Sequence, residues 1–356
     1  MKKLCLLFSI LLVVLLSSCG GKTMFTPQSS GRPYEVLVVI DSKMWEQPSG
    51  RALFDVLDTN VPGLPQPERS FRISNTDPQN FNQTFRIFRN IIIVKIDPER
   101  YTQPRMKYQR NVYALPQVIM TIQAPDRDSF ARYVEENRDI IVRFFTNVEM
   151  NREIKNLEKK HSPMVERKVD SLFGCSIYVP SDIHRYKAEK DFLWCSTDRV
   201  SGDLNFVMYS YPYTDSRTFT LDFFVHKRDS VMKANIPGQM EGMWMTTNPD
   251  FVWDRAFEIG GEYAMEVRGL WEMRNDCMGG PFVSHVRYDK PNGRIVVVEG
   301  FVYSPDKLKR NYMRLMEAAL YTLRLPEDQG LPEIVIQPES EIHYEKNDSV
   351  ELSKKI

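Results

Sequence analysis

The segment "YEVLVVID", residues 34–41, is a continuous apolar run with the length of a strand that is buried on both faces. "NIIIVKID" (90–97) and "QVIMTIQAP" (117–125) have the same character, and "GRALFDVLD" (50–58) has the spacing of a short helix. A long amphipathic helix is expected from about Asp126. Because strands that alternate with helices favour crossover connections, these elements predict an α/β domain with a mixed sheet and crossover helices, over residues 34–160.

The charged stretch at residues 151–170 predicts a solvated continuation of this helix that becomes a connector at residues 161–170. Pro163 is expected to break or kink it, because proline lacks the backbone donor of a helix interior.

Residues 171–326 have a different pattern, in which several short strand candidates surround a helix at 218–236. Asn292-Gly293 is a strong hairpin signal. Ser304 followed by proline predicts the start of a closing helix. This half is therefore expected to be an α+β, sandwich-like domain, an antiparallel meander packed by helices. A charged tail, residues 327–356, is expected to be mobile because it has few large apolar residues.

The amino-terminal segment predicts export. Lys2 and Lys3 precede thirteen residues, 4–16, that are apolar except for Ser9, which is too short for a permanent membrane span. The following "LLSSCGGK" (15–22) resembles the lipobox of bacterial lipoproteins, in which the cysteine is acylated and becomes the new amino terminus. Residues 1–18 are thus expected to be a lipoprotein signal peptide, Cys19 the lipidation site and residues 19–33 a tether. The alternative is an ordinary secretion signal that contains a cysteine by chance.

The charge balance excludes some functional classes. The chain of 356 residues has 47 basic and 47 acidic side chains, and loss of Lys2 and Lys3 with the signal leaves a formal charge of −2. Nucleic-acid binders normally carry a clustered basic excess, so no nucleic-acid partner is expected. No later segment has transmembrane length, which leaves the acyl chains as the expected membrane attachment.

Three cysteines follow the lipidation site: Cys175, Cys195 and Cys277. "CSIYVP" and "FLWCST" are strand-like runs that a hairpin could pair, which makes Cys175 and Cys195 a candidate disulfide. The alternative is two buried free thiols.

Signatures of catalysis are absent from the sequence. The chain contains no G-x-S-x-G, S-x-x-K, H-E-x-x-H or C-x-x-C pattern, and its five histidines are scattered. No metal and no cofactor are therefore expected. Asp41 and Asp97 each follow a buried strand, where two carboxylates could act as an acid and a base, but turn capping is the favoured interpretation.

The segment "EGMWMTTNPDFVWD" (241–254) suggests a recognition surface, because it is rich in methionine and tryptophan and looks like a loop. The alternative is that these residues complete the core beneath a long loop. Exposure of Trp244 and Trp253 decides between the two. The candidate binding residues are Met243, Trp244, Met245, Trp253, Trp271, Gly279 and Gly280.

Four segments together resemble an uncharacterised family of Bacteroidota envelope lipoproteins, defined by a domain of unknown function (DUF4837): "LSSCGGK", "IPGQMEGMW", "RGLWEMRNDCMGGPFVSH" and "SPDKLKRNYMRLMEAALYTLR". The resemblance implies no reaction, ligand or catalytic residue, and only the acylated Cys19 is carried over from it. Residues 171–325 are also similar, at the level of fold, to PsbP and Mog1-type α/β/α sandwiches, which act mainly as binding or assembly modules. The absence of acidic residues in "CGGKTMF" implies, by this resemblance, an outer-membrane lipoprotein that faces the periplasm.

The leading functional hypothesis is a noncatalytic binding or assembly module of the cell envelope, with an envelope protein, peptide or polymer as partner. One alternative is a hydrolase of envelope glycan or peptide, which would use the strand-end carboxylates or Glu241, Glu258, Glu262 and Glu266. Another is a carrier of a small ligand. An enzyme should show converging polar groups with perturbed pKa values in a cleft, an assembly module a shallow apolar patch, and a carrier an enclosed apolar cavity.

Overall fold

The computed structural model describes residues 26–328, residue 336 and residues 342–345. The signal peptide, Cys19 and most of the tail lie outside the described residues. Within the described part, none of the helices has the length and apolar character needed to cross a membrane.

The first sheet has six strands in the order β13-β4-β5-β3-β1-β2. β2, β1, β3 and β5 run parallel, whereas β4 is antiparallel to β5. The predicted mixed sheet is confirmed. The strands are β1 (Glu35–Val39), β2 (Arg72–Thr76), β3 (Asn90–Ile96), β4 (Arg105–Arg110), β5 (Val118–Ala124) and β13 (His343–Tyr344).

Five helices accompany this sheet: α1 (Ser42–Trp45), α2 (Pro48–Leu57), α3 (Gln83–Arg86), α4 (Arg127–Glu136) and α5 (Arg138–Lys159). Buried residues of α2, α4 and α5 share one core with the strands. Phe81 and Phe88 pack on a second cluster that contains Val39, Ile91 and Ile119. The intervening helix α3 has only four residues, and the Asn82 side chain caps it by accepting from the backbone of Thr84 and Phe85.

The second sheet has seven antiparallel strands in the order β6-β7-β8-β12-β11-β10-β9, which confirms the predicted meander. They are β6 (Arg185–Glu189), β7 (Phe192–Ser196), β8 (Asp203–Pro212), β9 (Met245–Ile259), β10 (Glu262–Met273), β11 (Gly279–Asp289) and β12 (Arg294–Tyr303). The predicted loop at 241–254 is thus wrong from Met245 onward, because those residues form the first ten of β9.

Helices cover both faces of this sheet: α6 (Pro163–Phe173) and α8 (Arg310–Tyr321) pack on one face and α7 (Leu221–Asn235) on the other. The predicted break is confirmed, since α5 ends at Lys159 and Pro163 is the first residue of α6. Met150, Ile154 and Leu157 at the end of α5 are buried in the core of the second sheet. The end of α5 was expected to be solvated. One side of it instead packs against the other half of the chain.

The start of α8 differs from the prediction. The helix begins at Arg310, and the Ser304 hydroxyl has no hydrogen-bond partner within the described ranges. Its first turn is instead capped from the other half of the chain: the Glu68 carboxylate accepts from the backbone N–H groups of Lys309 (2.7 Å) and Arg310 (2.9 Å). A buried carboxylate at a helix amino terminus satisfies free donors and complements the helix dipole. Glu68 therefore links the two halves.

The candidate disulfide is absent, and Cys175 and Cys195 are free, buried thiols. In the β6–β7 hairpin the residue opposite Cys195 is Tyr186, because Cys175 lies ahead of β6. Burial raises the pKa of each of the two thiols to about 12. Both are thus expected to be unreactive, whereas Cys277 is exposed.

One part of the tail differs from the expectation of mobility. His343 and Tyr344 pair with β4, and Ile342 is buried against the first core.

Candidate functional site

A cleft of about 1000 Å³ lies between the two halves of the molecule. Its walls come from the middle of α5, from β9 and β10 at the edge of the second sheet, and from α8. The contact between α5 and α8 and the Glu68 cap hold these walls together. Buried charged side chains of both β10 and α8 line it.

The β9–β10 register decides which side chains face the cleft. Trp253 lies opposite Arg268, Arg255 opposite Glu266 and Phe257 opposite Ala264. Since side chains alternate across a strand, residues 253, 255 and 257 share one face. This face is the side of the sheet on which α8 packs.

A chain of ion pairs crosses the cleft floor. The Arg255 guanidinium donates to both oxygens of Glu266, at 2.8 and 2.9 Å, and Arg268 donates to the same carboxylate at 2.7 Å. Arg268 also donates to Glu317 of α8, which accepts from Arg314 at 3.1 Å. Four of these five side chains are at most 7 % exposed, whereas Arg255 is 53 % exposed. The cluster thus reaches from the protein interior to the solvent.

The arginines keep both carboxylates ionised. Burial by itself would raise the pKa of Glu266, but the charges of Arg268 and Arg255 outweigh it and hold the pKa well below its ordinary value. The pKa of Glu317 is lowered in the same way against burial, by Arg268 and Arg314. Neither carboxyl group is therefore available as a proton donor near neutral pH.

His285 lies beneath this cluster, with its Nε2 atom 3.6 Å from Glu266. It is fully buried between the rings of Phe257 and Tyr321, at centroid distances of 4.8 and 4.7 Å. Burial lowers its pKa, which leaves the imidazole neutral. Neither ring nitrogen has a hydrogen-bond partner in the described part of the chain. The histidine is separated from the cleft and does not line it.

Arg314 is the least satisfied member of the cluster. Its Nη1 atom donates to Glu317, but its Nε–H is buried without an acceptor among the residues that the structure describes. The side chain is 7 % exposed and lines the cleft. A guanidinium whose hydrogen-bonding capacity is only partly used, beside an open space, is a position for a ligand acceptor.

A second arginine–glutamate cluster lies on the opposite face of the same sheet, beneath α7. Arg228 and Glu299 are both 0 % exposed and form two hydrogen bonds, at 2.7 and 2.8 Å. Arg228 also donates to Thr247, and Ser284 donates to Glu299. All three guanidinium nitrogens have acceptors. None of these four residues lines the cleft between the two halves.

The predicted Met, Trp and Gly residues do not form one groove. Trp253 lines the cleft and is 39 % exposed. Met245 and Trp271 belong to the buried core on the α7 side of the sheet. Gly280 is also buried. A Cβ atom at this position would lie 2.1 Å from the Val302 carbonyl oxygen, so the site has no room for a larger side chain.

The remaining three lie at the same end of the sheet as Trp271. Trp244 and Met243 are half-buried, and the Lys233 ammonium lies 4.1 Å from the Trp244 ring centroid. Gly279 pairs with Glu272. Neither Trp244 nor Trp253 is fully buried, but only Trp253 belongs to the cleft.

Asp41 and Asp97 cap turns. The Asp41 carboxylate accepts from the backbone of Met44 at 2.8 Å, and Asp97 accepts from the backbone of Glu99 and Arg100. A smaller depression of about 520 Å³ lies beside them. Within residues 26–328 and the short described tail segments, no three His, Cys, Asp or Glu side chains are grouped so that they could hold a metal ion.

The sequence contained one unused signal for the site. Glu266 and Arg268 alternate with apolar residues in the segment "YAMEVRGLWEM" (263–273), so two charges occupy inward-facing positions of β10. Their partner Glu317 lies nearly fifty residues later, at the same face of α8 as Arg314.

The fold and the cleft define a protein with an α/β unit and an α+β unit that enclose a charged interdomain site. Residues 29–158 match the family model of a domain of unknown function, DUF8532, and residues 162–322 match that of another, DUF4837. A search of curated proteins found no match. A crystal structure of a protein from Bacteroides thetaiotaomicron aligns with 42 % of this chain and 44 % of its own, at 12 % identity and a TM-score of 0.18. The alignment thus spans less than half of either chain.

Proposed function

We propose that this protein is a noncatalytic binding protein of the bacterial cell envelope that captures a small ligand in the cleft and is held at the membrane by acyl chains on Cys19. The cleft carries the proposal: it has the volume of a ligand site, its walls come from both halves of the chain, and buried polar groups converge on its floor.

The protonation states favour binding over hydrolysis. Acid–base cleavage of a glycan needs one carboxyl group that stays protonated, hence one with a raised pKa. Glu266 and Glu317 have lowered pKa values because arginines surround them. His285 is covered by Phe257 and Tyr321. The perturbed groups of the cleft are therefore arranged to hold charge rather than to transfer protons.

Capture of a peptide is a second candidate, favoured by the position of β9. This strand is the last in its sheet, so its outer edge pairs with no other described strand, and it borders the cleft. An extended peptide could add to such an edge.

The path of the first described residues supports the membrane anchor. Pro27 and Ser29 hydrogen-bond with the backbone of Leu115, which is 47 % exposed. Nearby, the Arg86 guanidinium lies 5.7 Å from the Phe81 ring and 5.4 Å from the Tyr113 ring. Aromatic and basic side chains suit a lipid interface.

The segment between Cys19 and the first described residues is also long enough for acyl chains on Cys19 to enter a membrane next to this surface. Cys19 precedes Gln28 by nine residues, which span about 30 Å at full extension. We propose that this aromatic surface faces the membrane, and that the protein is a Bacteroidota lipoprotein of the outer membrane that faces the periplasm.

The anchor is tested by mass spectrometry of the mature protein. We expect Cys19 as the amino-terminal residue, carrying acyl chains, and release from membranes by detergent but not by a salt wash. An unmodified terminus at another residue contradicts the anchor. Loss of the protein when intact cells are treated with protease would contradict the inward orientation.

Ligand capture is tested with a variant that fills the cleft. Thr146 of α5 lines the cleft, so Thr146→Trp should exclude the ligand; Lys155→Trp, at an exposed position of the same helix, is the control. The proteins are purified from native membranes and denatured, and the released small molecules and peptides are measured by mass spectrometry. We expect one compound in the wild type and in Lys155→Trp that is missing from Thr146→Trp. Equal release from all three contradicts the proposal.

A further inference from the structure

We infer that the ligand of the cleft is an amphipathic monoanion, with a single carboxylate that binds at Arg314 and a planar apolar body that lies against Trp253. The inference rests on the proposed function, because it assigns a ligand class to the same cleft.

The five ion-paired side chains on the cleft floor favour one more negative group. Three arginines (Arg255, Arg268 and Arg314) face two glutamates (Glu266 and Glu317), and the neighbouring His285 is neutral because its pKa is lowered by burial. This chain of ion pairs therefore carries one net positive charge. Arg268 and Arg314 are almost removed from water, where an unbalanced charge is unfavourable. A bound monoanion would neutralise it.

Arg314 provides a directional donor for that anion. One edge of its guanidinium is used by Glu317, and its Nε–H is buried and unpartnered within the described residues. Guanidinium and carboxylate groups match in geometry and form strong charge-assisted hydrogen bonds. A ligand carboxylate in the cleft can thus bind the part of this guanidinium that remains accessible there.

The wall above this donor is apolar and aromatic. Trp253 lies near the mouth of the cleft, where it is 39 % exposed, and Phe257 and Tyr321 also line the space. Gly63 packs against the indole: a Cβ atom there would lie 3.2 Å from the Trp253 ring. The indole is therefore held in place before a ligand arrives, and a flat ring or an acyl chain could pack on it.

The same cluster disfavours a dianion. A ligand at Arg314 lies close to Glu317, whose lowered pKa keeps it charged. One negative charge balances the cluster, whereas a second would be repelled by the glutamates. We therefore expect a carboxylate rather than a phosphate monoester.

The class is tested by calorimetry on the lipidated protein in detergent, after removal of any endogenous ligand, with three probes of one shape: 2-naphthoate, 2-naphthamide and 2-naphthyl phosphate. We expect 2-naphthoate to bind at least about tenfold more tightly than the neutral amide, as for a hydrogen bond to a charged group. It should also bind more tightly than the phosphate. An amide that binds as well as the acid, or a phosphate that binds best, overturns the inference.

Two variants change the charge balance in opposite directions. Arg314→Met should reduce the affinity for 2-naphthoate to that for 2-naphthamide, and Glu317→Gln, which leaves two unbalanced positive charges, should increase it. Lys307→Met, which removes an exposed charge ahead of α8, is the control and should change nothing. If Arg314→Met does not fold, the direction of the Glu317→Gln effect still decides. Unchanged affinity in both variants overturns the assignment of the charged group.

The outcomes separate the ligand class from the proposed function. If no probe binds but native membranes yield a compound that Thr146→Trp lacks, the cleft binds a ligand and the monoanion class is wrong. If no probe binds and no such compound is found, the proposed binding function is wrong as well.

Discussion

The two faces of the seven-stranded sheet each bury an arginine–glutamate cluster. Only one of these clusters is closed, in the sense that it is fully buried and all of its arginine nitrogens have acceptors. Beneath α7, Arg228 and Glu299 are fully buried and every guanidinium nitrogen of Arg228 has an acceptor. Beside α8, Arg255 reaches the solvent, Arg314 has an unpartnered Nε–H among the described residues, and a cleft lies above both. The same residue types thus lie in two different environments on one sheet.

The difference shows how burial decides the role of an ion pair. A cluster that is closed and satisfied holds a helix on a sheet, and its contribution appears in stability. A cluster with an unpartnered donor and an excess charge has an incomplete set of partners, and this is the cluster to which we propose that a ligand binds. The contrast between the two clusters leads to four predictions, in order of decreasing effect.

The largest effect is expected for Arg228→Met, which breaks the closed cluster. Removal of the guanidinium leaves Glu299 buried without its counter-ion, at a cost of about 3–5 kcal/mol in the free energy of unfolding. Urea denaturation measures the change. The double variant Arg228→Met, Glu299→Leu should recover much of the loss because no charge remains buried. If Arg228→Met lowers the free energy of unfolding by less than about 1 kcal/mol, the closed cluster does not have the structural role assigned to it.

The variant His285→Phe tests the open cluster through the pH dependence of the free energy of unfolding. Burial lowers the pKa of His285 in the folded protein, so the unfolded chain gains a proton first as the pH falls. Stability is therefore highest above about pH 6.5 and falls below it by up to about 1.4 kcal/mol per pH unit, until the folded histidine also titrates. The lowered pKa values of Glu266 and Glu317 act in a lower window, because their contribution is present above about pH 4.5 and is lost only below it.

The measurement compares the free energy of unfolding at pH 7.5, 6.0 and 5.0. We expect the phenylalanine variant to show a flatter dependence, since the ring still fills the space between Phe257 and Tyr321. Phe257→Leu, the control, should lower stability at all three values and keep the slope. Parallel curves for the wild type and His285→Phe would contradict the prediction.

Glu68→Gln tests how the open cluster is held in place. The carboxylate caps the first turn of α8, the helix that carries Arg314 and Glu317. An amide has one oxygen acceptor and no charge for the helix dipole, so a loss of about 1 kcal/mol is expected. Thermal unfolding measures it, with Glu327→Gln at an exposed site as the control. No change in the midpoint would mean that the α5–α8 contact alone positions the helix.

The smallest effect on stability is expected for Trp253→Ala. The side chain is 39 % exposed, so its loss should change the free energy of unfolding by only about 0.5 kcal/mol. It should nevertheless weaken binding of 2-naphthoate, since the ring forms part of the cleft wall. Trp244→Ala, outside the cleft, is the matched control for binding. Equal affinity of both variants would remove Trp253 from the site.

Particular elements show what could be predicted from the sequence. The buried strands β1, β3 and β5 and the hairpin at Asn292-Gly293 depend on local pattern and turn chemistry, and they were predicted correctly. β9 was missed because "TTNPD" (246–250) has the residues of a loop, and the strand is irregular there: its pairing with β10 stops at Thr247 and resumes at Val252. Trp253 was assigned to one binding surface with Met245, but the two side chains lie on opposite faces of the sheet. The irregularity in β9 between Thr247 and Val252 changes the alternation of its side chains.

The amino-acid sequence by itself determined the alternation of strands and helices, the change to a meander near residue 171 and the signal-like segment that precedes Cys19. These depend on periodicity and composition within short windows. Only the tertiary structure decided that Glu68 caps α8 and that Glu266, Arg268, Glu317 and Arg314 meet at one cleft. The partners in these contacts come from distant parts of the chain, which no short window of sequence can bring together. The net charge of the cleft floor also depends on which of these side chains are buried together.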